Sequence, residues 1–490
     1  PSADELEKFR SAFLFDGAEI GTNTTQAHPP KIVFDGAKDV RLGKKPFKVG
    51  YYQGESTMYS KETWISSSTA LPPVEMTVTN STIVSAAPES TVWGNTDTNS
   101  LCIGHGCNAI LNVEAGTYIT NRLMVGCCFN NTAYKNGVVR QHGGEVVTLS
   151  GDNAYQGSDV GHRGGYGYYE LADGRLVCRG GLGVGLYTVG ALYQYGGELS
   201  FTNRLDKPGS GGALAVACAN GGKGVWRMSG GKAIFPWSLS LANGGNDSVA
   251  YALVEGDADV DVFTGYVYLG GGGSQQYNHM KYGYLCLNGD STFRVMGFYK
   301  PANGDDEGAP FRSAACLSFD GGTLRLTSAG SKDVFHPNGL ARNIYALNHV
   351  YVCDGGMTID TTEASGRWTD VPLEGLGGNG VTGVVGFKPV TGLMGPPRLV
   401  VTGDGSNAVV FADFDSKTGT MTGITVGCPG EGYTTATLTT EGTVMTDGQK
   451  SWTCTLAPNR NEGAFTKAGE GAFTFKAENS YGGKTVLAGG

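Results

Sequence analysis

The chain has 490 residues, of which 80 are glycine, 40% are hydrophobic and only 17% are charged, and its formal net charge is −9. Glycine is about twice as frequent as in average proteins, but it has no period of three, which excludes a collagen triple helix. The hydrophobic content is too high for a disordered chain. The low and mildly acidic charge disfavours a nucleic-acid-binding groove, and no segment approaches the roughly 18 consecutive apolar residues of a membrane span.

The first residues predict a helix that caps a repetitive fold. Ser2 and Glu5 fit a capping box, and one helical face carries Leu6, Phe9 and Phe13. A stack of coils exposes core and unpaired strand edges at its end. We therefore assign residues 1–90 to an N-terminal cap and the segment leading into the stack. The chain does not begin with methionine, and we expect a secreted protein from which a signal peptide has been removed.

Residues 91–397 repeat one pattern, in which a short apolar strand meets a glycine turn and a second strand follows. The turn glycines recur at irregular intervals, each the length of one solenoid coil, and they are Gly116, Gly144, Gly174, Gly197, Gly231, Gly256, Gly289, Gly322 and Gly356. A third apolar strand, which ends in glycine, completes many repeats. Three short strands per repeat are typical of a parallel β-helix. The sequence therefore predicts an all-β fold, a single right-handed parallel β-helix.

Alternating apolar and polar residues predict which side chains enter the core of this solenoid. After the turns the inward positions are Val146 and Thr148, Leu176 and Cys178, Leu199 and Phe201, Ala233 and Phe235, Ala258 and Val260, Ser291 and Phe293, and Leu324 and Leu326. Before the turns they are Leu111 and Val113, Tyr169 and Leu171, Trp226 and Met228, Tyr251 and Leu253, Tyr284 and Cys286, Leu317 and Phe319, and Tyr351 and Cys353. Most of the 11 cysteines are accordingly expected to be free and buried.

The pattern changes near the C-terminus. Residues 398–457, with the segments GSNAVVFA, TMTGITVG and GEGYT, resemble a short β module of bacterial secreted and surface proteins, and we expect this module to be inserted in the helix or packed on it. The terminal segment 458–490 contains GAFTKAGEGAFTFKAENSYGGKTVLAGG. It resembles the passenger-associated repeat of autotransporters, which implies further β-helix coils and an additional domain in a longer chain.

Motifs for catalysis are lacking in the sequence, with no nucleophile elbow, zinc-protease helix or phosphate-binding loop, and the seven histidines are scattered. One acidic group stands out, in which Asp257, Asp259 and Asp261 share an outward strand face. These carboxylates could bind calcium, the one cofactor that the sequence suggests, or supply acid and base to a glycosidase or lyase. Alternatively, they are a solvated edge that prevents aggregation.

Aromatic residues form the second candidate site. The chain has 23 tyrosines, many at positions where the alternation predicts an outward side chain or a loop. Rows of such rings on stacked coils would suit the apolar faces of sugars, with amide groups to bond their hydroxyls. The candidate carbohydrate-binding residues are Tyr166, Tyr168, Tyr193, Tyr195, Trp237, Tyr266, Tyr268, Tyr277 and Gln275. Aromatic stacking that only stabilises the sheet is the alternative interpretation.

In architecture and composition the chain resembles the β-helix carbohydrate-binding modules attached to xylanases of gut bacteria. That resemblance implies a secreted, non-catalytic protein that binds xylan or a related plant cell-wall polysaccharide through an aromatic flank, with a catalytic domain in the same full-length chain. Two alternatives remain open. One is a β-helix polysaccharide lyase or glycoside hydrolase, and the other is a secreted adhesin or autotransporter-like passenger.

Overall fold

A computed structural model describes residues 31–36, 40–41, 47–51, 73–85, 100–105, 108–127, 136–149, 157–162, 165–202, 212–262, 264–271, 280–301, 313–330, 332–336, 346–442 and 450–489. The fold of this part of the chain is all-β and contains no α-helix. The helix predicted around Leu6, Phe9 and Phe13 lies outside it, as do Gln275 and Tyr277. None of the described residues forms a helix that is long and apolar enough to cross a membrane.

Parallel strands from successive repeats stack into three ladders, which together form a solenoid. The first ladder, before the glycine turns, contains Lys31–Asp35, Val74–Thr79, Ala109–Val113, Asn136–Gln141, Tyr166–Leu171, Val189–Gln194, Lys223–Met228 and Ser248–Val254. The second, after the turns, contains Val40–Arg41, Ser81–Ser85, Gly116–Thr120, Glu145–Thr148, Arg175–Cys178, Glu198–Phe201, Lys232–Ile234 and Asp259–Val262. Parallel pairing therefore begins before residue 91, where the sequence suggested that the solenoid starts.

Later strands continue these two ladders. Three long strands run through the turn and belong to both: Lys281–Val295, Ser313–Leu326 and His349–Asp360. The second ladder ends with Phe465–Ala468 and Thr485–Leu487. The third ladder contains Phe47–Tyr51, Ser100–His105, Arg122–Cys127, Ser158–His162, Leu182–Val184, Leu214–Val216, Leu239–Asn243, Val267–Gly271 and Phe298–Tyr299. After the last strand of the third ladder, Arg367–Thr369 pairs in parallel with Phe473–Phe475. The C-terminal segment therefore adds coils to the stack.

The predicted turn glycines all have positive φ, between 54° and 92°, and at all of them except Gly289 the neighbouring atoms also exclude a side chain. A Cβ atom on Gly174 would lie 2.3 Å from the carbonyl oxygen of Gly144 in the preceding coil. In the same way, a Cβ atom on Gly197 would lie 2.5 Å from the carbonyl oxygen of Gly174. Only glycine combines this backbone conformation with such close contact between coils.

The solenoid core confirms the inward ladder predicted after the turns. All its predicted apolar positions lie in one continuous core cluster, and Thr148 and Ser291 are also buried. Before the turns the early coils agree, since Leu111, Tyr169 and Trp226 belong to the same cluster.

In three later coils the prediction before the turn is wrong by one residue. Ala250, Ala252 and Val254 point into the core, whereas Leu253 belongs to a second cluster on the outer side of the ladder. The same phase error affects Tyr251, Tyr284, Cys286, Tyr351 and Cys353, all of which pack in or against this outer cluster. The described cysteines that are free, Cys286 and Cys353 among them, are all buried.

The outer cluster forms because an antiparallel module covers the first ladder. The module, residues 379–458, is inserted between the coil of Arg367–Thr369 and the strand Phe465–Ala468. Four of its strands form a sheet in the order Asn379–Val384, Ser451–Pro458, Ala436–Glu441 and Arg398–Gly403, and Val409–Asp415 pairs with Thr420–Cys428 as a hairpin. The module therefore starts earlier than residue 398, the boundary that the sequence suggested.

Ion pairs tie the module to the solenoid at the edges of this apolar contact. Arg227 of the first ladder donates to Asp413 Oδ1 at 2.7 Å and to the carbonyl oxygen of Ala412 at 3.0 Å. Glu441 of the module accepts from Lys223 Nζ at 3.2 Å and from Arg398 Nη1 at 2.5 Å. Burial by itself raises the pKa of Glu441, but the charges of Arg398 and Lys223 outweigh burial and hold that pKa below its ordinary value.

We expect Gly174→Ala to destabilise the protein far more than Gly366→Ala. Both glycines have positive φ, but nothing lies within 4 Å of a Cβ atom on Gly366. The control should lose about 1–2 kcal/mol from backbone strain alone, and Gly174→Ala about 3 kcal/mol or more because coils must separate. Urea unfolding followed by circular dichroism measures both. Equal losses would contradict the close packing of the turns.

Glu441→Gln should weaken the protein in a pH-dependent manner. A carboxyl group whose pKa is depressed by folding adds stability above its unfolded pKa of about 4.3, and this contribution is lost as pH falls through the folded pKa. We therefore expect the variant to be about 1 kcal/mol less stable at pH 7, with the difference shrinking below about pH 4. Thermal unfolding of both proteins at pH 7 and below about pH 4 measures this difference in stability. A difference that is independent of pH would rule out the ion pairs as its cause.

Candidate functional site

Four of the predicted sugar-binding tyrosines lie under the module or at its rim. Three of them, Tyr166, Tyr168 and Tyr193, are 4%, 0% and 1% exposed. Tyr166 Oη donates to the carbonyl oxygen of Pro396 at 2.6 Å, and Tyr193 Oη donates to that of Ala412 at 3.1 Å. Their side chains do point outward from the ladder, but they contact the module and not solvent. The prediction that these three form an exposed ligand surface is therefore wrong.

Tyr195 lies at the rim of this contact. It is 37% exposed, its hydroxyl group donates to the carbonyl oxygen of Phe414 at 3.3 Å, and its ring makes an edge contact with Tyr193. Burial raises the pKa of Tyr193 and of Tyr195 above the ordinary tyrosine value. Both phenols are therefore protonated hydrogen-bond donors, and they help to dock the module.

The acidic group of Asp257, Asp259 and Asp261 lies among other charged side chains on the outer side of the second ladder. Asp261 accepts from Arg294 Nη1 at 3.0 Å, and Asp259 lies 3.9 Å from Lys232 Nζ of the preceding coil. Asp257 lies in the exposed turn that follows Gly256. Neighbouring cations therefore balance two of the three carboxylates, and among the described residues these three do not converge as metal ligands. The geometry therefore gives no support to calcium binding at Asp257, Asp259 and Asp261, and it fits the alternative interpretation of a solvated charged edge.

Aromatic side chains with exposed surface remain in the strands of the third ladder or directly before them. Trp237 is 38% exposed, and Tyr266, Tyr268 and Tyr299 are partly exposed. Tyr268 pairs with Tyr299 in the next coil, and their ring centroids are 5.4 Å apart. Trp237 lies in the coil before Tyr266, since Leu239 pairs with Val267. We call these four residues the aromatic flank.

A polar cluster lies in the two coils that follow Tyr299. It consists of Asp333, His336 and Asp370, whose potential ligand atoms all lie within 4.8 Å of one another. Asp333 and His336 are 3% and 7% exposed, and Asp370 is partly buried. A parallel bridge between Asp333 and Trp368 brings the two coils together. We call these three residues the Asp–His cluster.

Hydrogen bonds hold the Asp333 carboxylate in place. Its Oδ2 atom accepts from Trp368 Nε1 and from the backbone N–H of Asp370, both at 3.1 Å, and its Oδ1 atom accepts from the N–H of Phe335 at 3.1 Å. Burial, with repulsion from and hydrogen bonding to the Asp370 carboxyl group, raises the pKa of Asp333 to about 7. In the same cluster, His336 Nδ1 lies 3.3 Å from Asp370 Oδ2.

A surface depression of about 600 Å³ lies next to the cluster along the chain, and it is lined by Lys300, Ala346, Leu347, Asn348, Val371, Pro372 and Glu374. Val371 directly follows Asp370 in the chain, and the N–H of Leu347 donates to the carbonyl oxygen of Phe335, the residue before His336. Lys300, Asn348 and Glu374 give the depression a polar wall. A small polar ligand or the end of a chain could occupy it.

Sequence reasoning missed the Asp–His cluster because its members are separated by a full coil. The turn glycines Gly322 and Gly356 mark the length of a coil in this region, and Asp333 and Asp370 are offset by a similar interval. A search for acidic residues separated by one coil length could have found Asp333 and Asp370. His336 was classed among the scattered histidines.

The chain matches no protein-family model, and comparison with curated proteins and with solved structures gives no match. Arguments about function therefore depend on the geometry of these sites.

Stability should separate the buried tyrosines from the aromatic flank. We expect Tyr193→Ala to cost about 3–4 kcal/mol because it opens a cavity between ladder and module. Trp237→Ala should cost at most about 1.5 kcal/mol because this side chain is partly in solvent already. Chemical denaturation of both variants measures the difference. A small loss for Tyr193→Ala would mean that the module does not depend on this contact.

Proposed function

We propose that this protein is a right-handed parallel β-helix that binds a neutral polysaccharide, xylan or a related β-glycan, along the aromatic flank. The observation that carries the proposal is the pairing of Tyr268 with Tyr299 on adjacent coils, with Trp237 exposed in the coil before Tyr268. Rings that carry a polar group at the tip can pack on the apolar face of a sugar and bond its hydroxyl groups.

Electrostatics supports a neutral ligand. The net charge is −9, and the charged side chains of the second ladder pair with one another across coils. A strongly anionic polymer would be repelled, whereas a neutral glycan would not. Burial raises the pKa of Tyr268 above its ordinary value, so this hydroxyl group remains a donor to sugar oxygens at neutral pH.

The proposal includes secretion and a catalytic domain in the same full-length chain, as in the modules that the sequence resembles. An adhesin-like passenger stays the alternative for a solenoid of this kind. We consider glycoside hydrolysis by the Asp–His cluster less well supported, because catalytic carboxylates in most retaining enzymes are about 5–5.5 Å apart and in inverting enzymes about 6.5–9.5 Å apart. Asp333 and Asp370 are close enough to hydrogen-bond each other.

Affinity electrophoresis in gels that contain xylan tests the proposal. We expect the wild-type protein to be retarded without releasing reducing sugar, and Trp237→Ala and Tyr268→Ala to bind at least about tenfold more weakly, since a central aromatic contact contributes more than about 1.4 kcal/mol. The matched control is Tyr195→Ala, which removes a side chain of similar exposure, 37% against 38%, at the module rim.

The outcomes separate the candidate functions. Unchanged retardation of both flank variants, or equal weakening by Tyr195→Ala, would remove the aromatic flank as the binding surface. Release of reducing sugar would favour an enzyme, and failure of the wild-type protein to bind any soluble glycan would favour the passenger.

A further inference from the structure

Three buried cysteines meet where the module covers the first ladder. Cys286 and Cys353 lie in two of the long strands that run through the turn, and Cys428 ends the module strand Thr420–Cys428. All three belong to the outer cluster and are at most 4% exposed. They carry free thiols in this structure, and sugar binding by the aromatic flank makes no use of them.

Hydrogen bonds hold the chain on both sides of Cys428 against the solenoid. Before it, the side-chain amide of Asn288 donates to the carbonyl oxygen of Gly427 at 3.3 Å. After it, Glu431 Oε1 accepts from Tyr351 Oη at 2.8 Å. These two contacts fix the segment that contains Cys428 over the long strands of the first ladder.

Cys353 faces Cys428 across this contact. It follows Tyr351 by two residues in the same strand, and side chains two residues apart lie on the same face of a strand. Val352 between them belongs to the solenoid core, whereas Tyr351 and Cys353 both belong to the outer cluster. Hydrogen bonding between the two thiols raises the pKa of Cys353 and lowers that of Cys428, which agrees with direct contact.

The third thiol lies near the same segment but faces another residue. Cys286 Sγ is 3.2 Å from the position where Gly427 would carry a Cβ atom. Within the described part of the chain, these three sulfur atoms do not converge as ligands of one metal ion. This arrangement favours a bond between two sulfur atoms, and the two thiols in contact are those of Cys353 and Cys428.

We propose that Cys353 and Cys428 form a disulfide bond that joins the solenoid covalently to the module. The oxidant is a small-molecule disulfide such as oxidised glutathione. The thiolate of one cysteine attacks this disulfide, forms a mixed disulfide and releases one glutathione. The thiolate of the other cysteine then attacks the sulfur of the first and releases the second glutathione. The two cysteines lose two electrons and two protons in total, and both are gained by glutathione.

Docking of the module determines which cysteines pair. Cys353 and Cys428 are only 4% and 3% exposed once the module is in place, so the exchange with glutathione precedes docking, and docking delivers the second thiol. The bond closes a long loop that includes the four module strands up to Cys428, and such a loop closure restricts the unfolded chain. Secretion, which is part of the proposed function, would supply the oxidising surroundings in which disulfides persist. The pairing itself does not depend on glycan binding.

Peptide mapping of the full chain tests the cross-link. The protein is equilibrated with oxidised glutathione at about pH 8, where thiols ionise, in urea below the unfolding transition so that the module can open. Free thiols are then blocked in denaturant, and the chain is digested without reduction for mass spectrometry. We expect most Cys353 and Cys428 in one linked pair of peptides and Cys286 as a blocked thiol.

Thermal unfolding of the oxidised and the reduced protein measures the effect on stability. We expect the oxidised protein to unfold at a temperature at least about 5 °C higher. Cys428→Ser should abolish both the linked peptides and this difference. The matched control is Cys286→Ser, which removes another buried thiol of the outer cluster and should retain both.

Recovery of Cys353 and Cys428 as blocked thiols would overturn the proposal, and so would a linked peptide that contains Cys286 in place of Cys353. An equal rise in unfolding temperature for Cys428→Ser would also contradict it. If the variants fail to fold, the peptide map of the wild-type chain decides alone. The map needs no ligand, so a failure of xylan binding and a failure of the cross-link are separate results.

Discussion

Contact between the backbones of successive coils is the constraint on which the rest of this structure depends. Each coil satisfies its backbone hydrogen bonds with the coil before and the coil after it, so the strands must approach to the spacing of a sheet, about 4.8 Å. At the turns the carbonyl oxygen of one glycine lies where the next glycine would carry its Cβ atom, as for Gly144, Gly174, Gly197 and Gly231. This stacked column explains the surplus of glycine.

Such stacking forces side chains from distant parts of the sequence into straight columns. One outward column of the first ladder runs through Val138, Tyr168, Ala191, Val225, Tyr251, Tyr284 and Cys316. An apolar strip of this length is unstable in water and demands a cover. The inserted module provides it, and the buried tyrosines, the ion pairs of Arg227 and the contacts of Glu441 all follow from that cover.

The same strip shows where sequence reasoning succeeds and fails. The turn glycines and the ladder after the turns were predicted correctly because one face there is apolar and the other carries charges such as Glu198 and Lys232. Before the turns in the later coils, both faces are apolar, so alternation no longer distinguishes Tyr251 from Ala252. The wrong phase in these coils and the wrong prediction that Tyr168 is exposed have this common cause. The module that covers these side chains comes much later in the chain, so the local sequence pattern does not indicate it. The Asp–His cluster was not predicted for a different reason: its members are distant in the sequence and become neighbours only because successive coils stack.

The contrast between the two apolar flanks is the strongest physical reason to place a ligand on the third ladder. The chain covers the aromatic residues of the first ladder with its own module, and it satisfies their hydroxyl groups with carbonyl oxygens of Pro396, Ala412 and Phe414. On the third ladder Trp237 keeps 38% of its surface exposed. The cover of the first ladder ends at Tyr195, which keeps 37% of its surface exposed at the rim of the module. Contiguous exposed apolar patches are typical of interaction sites, whereas single exposed rings are common on any protein surface. Our proposal of an external ligand therefore depends on the partial exposure of the aromatic flank.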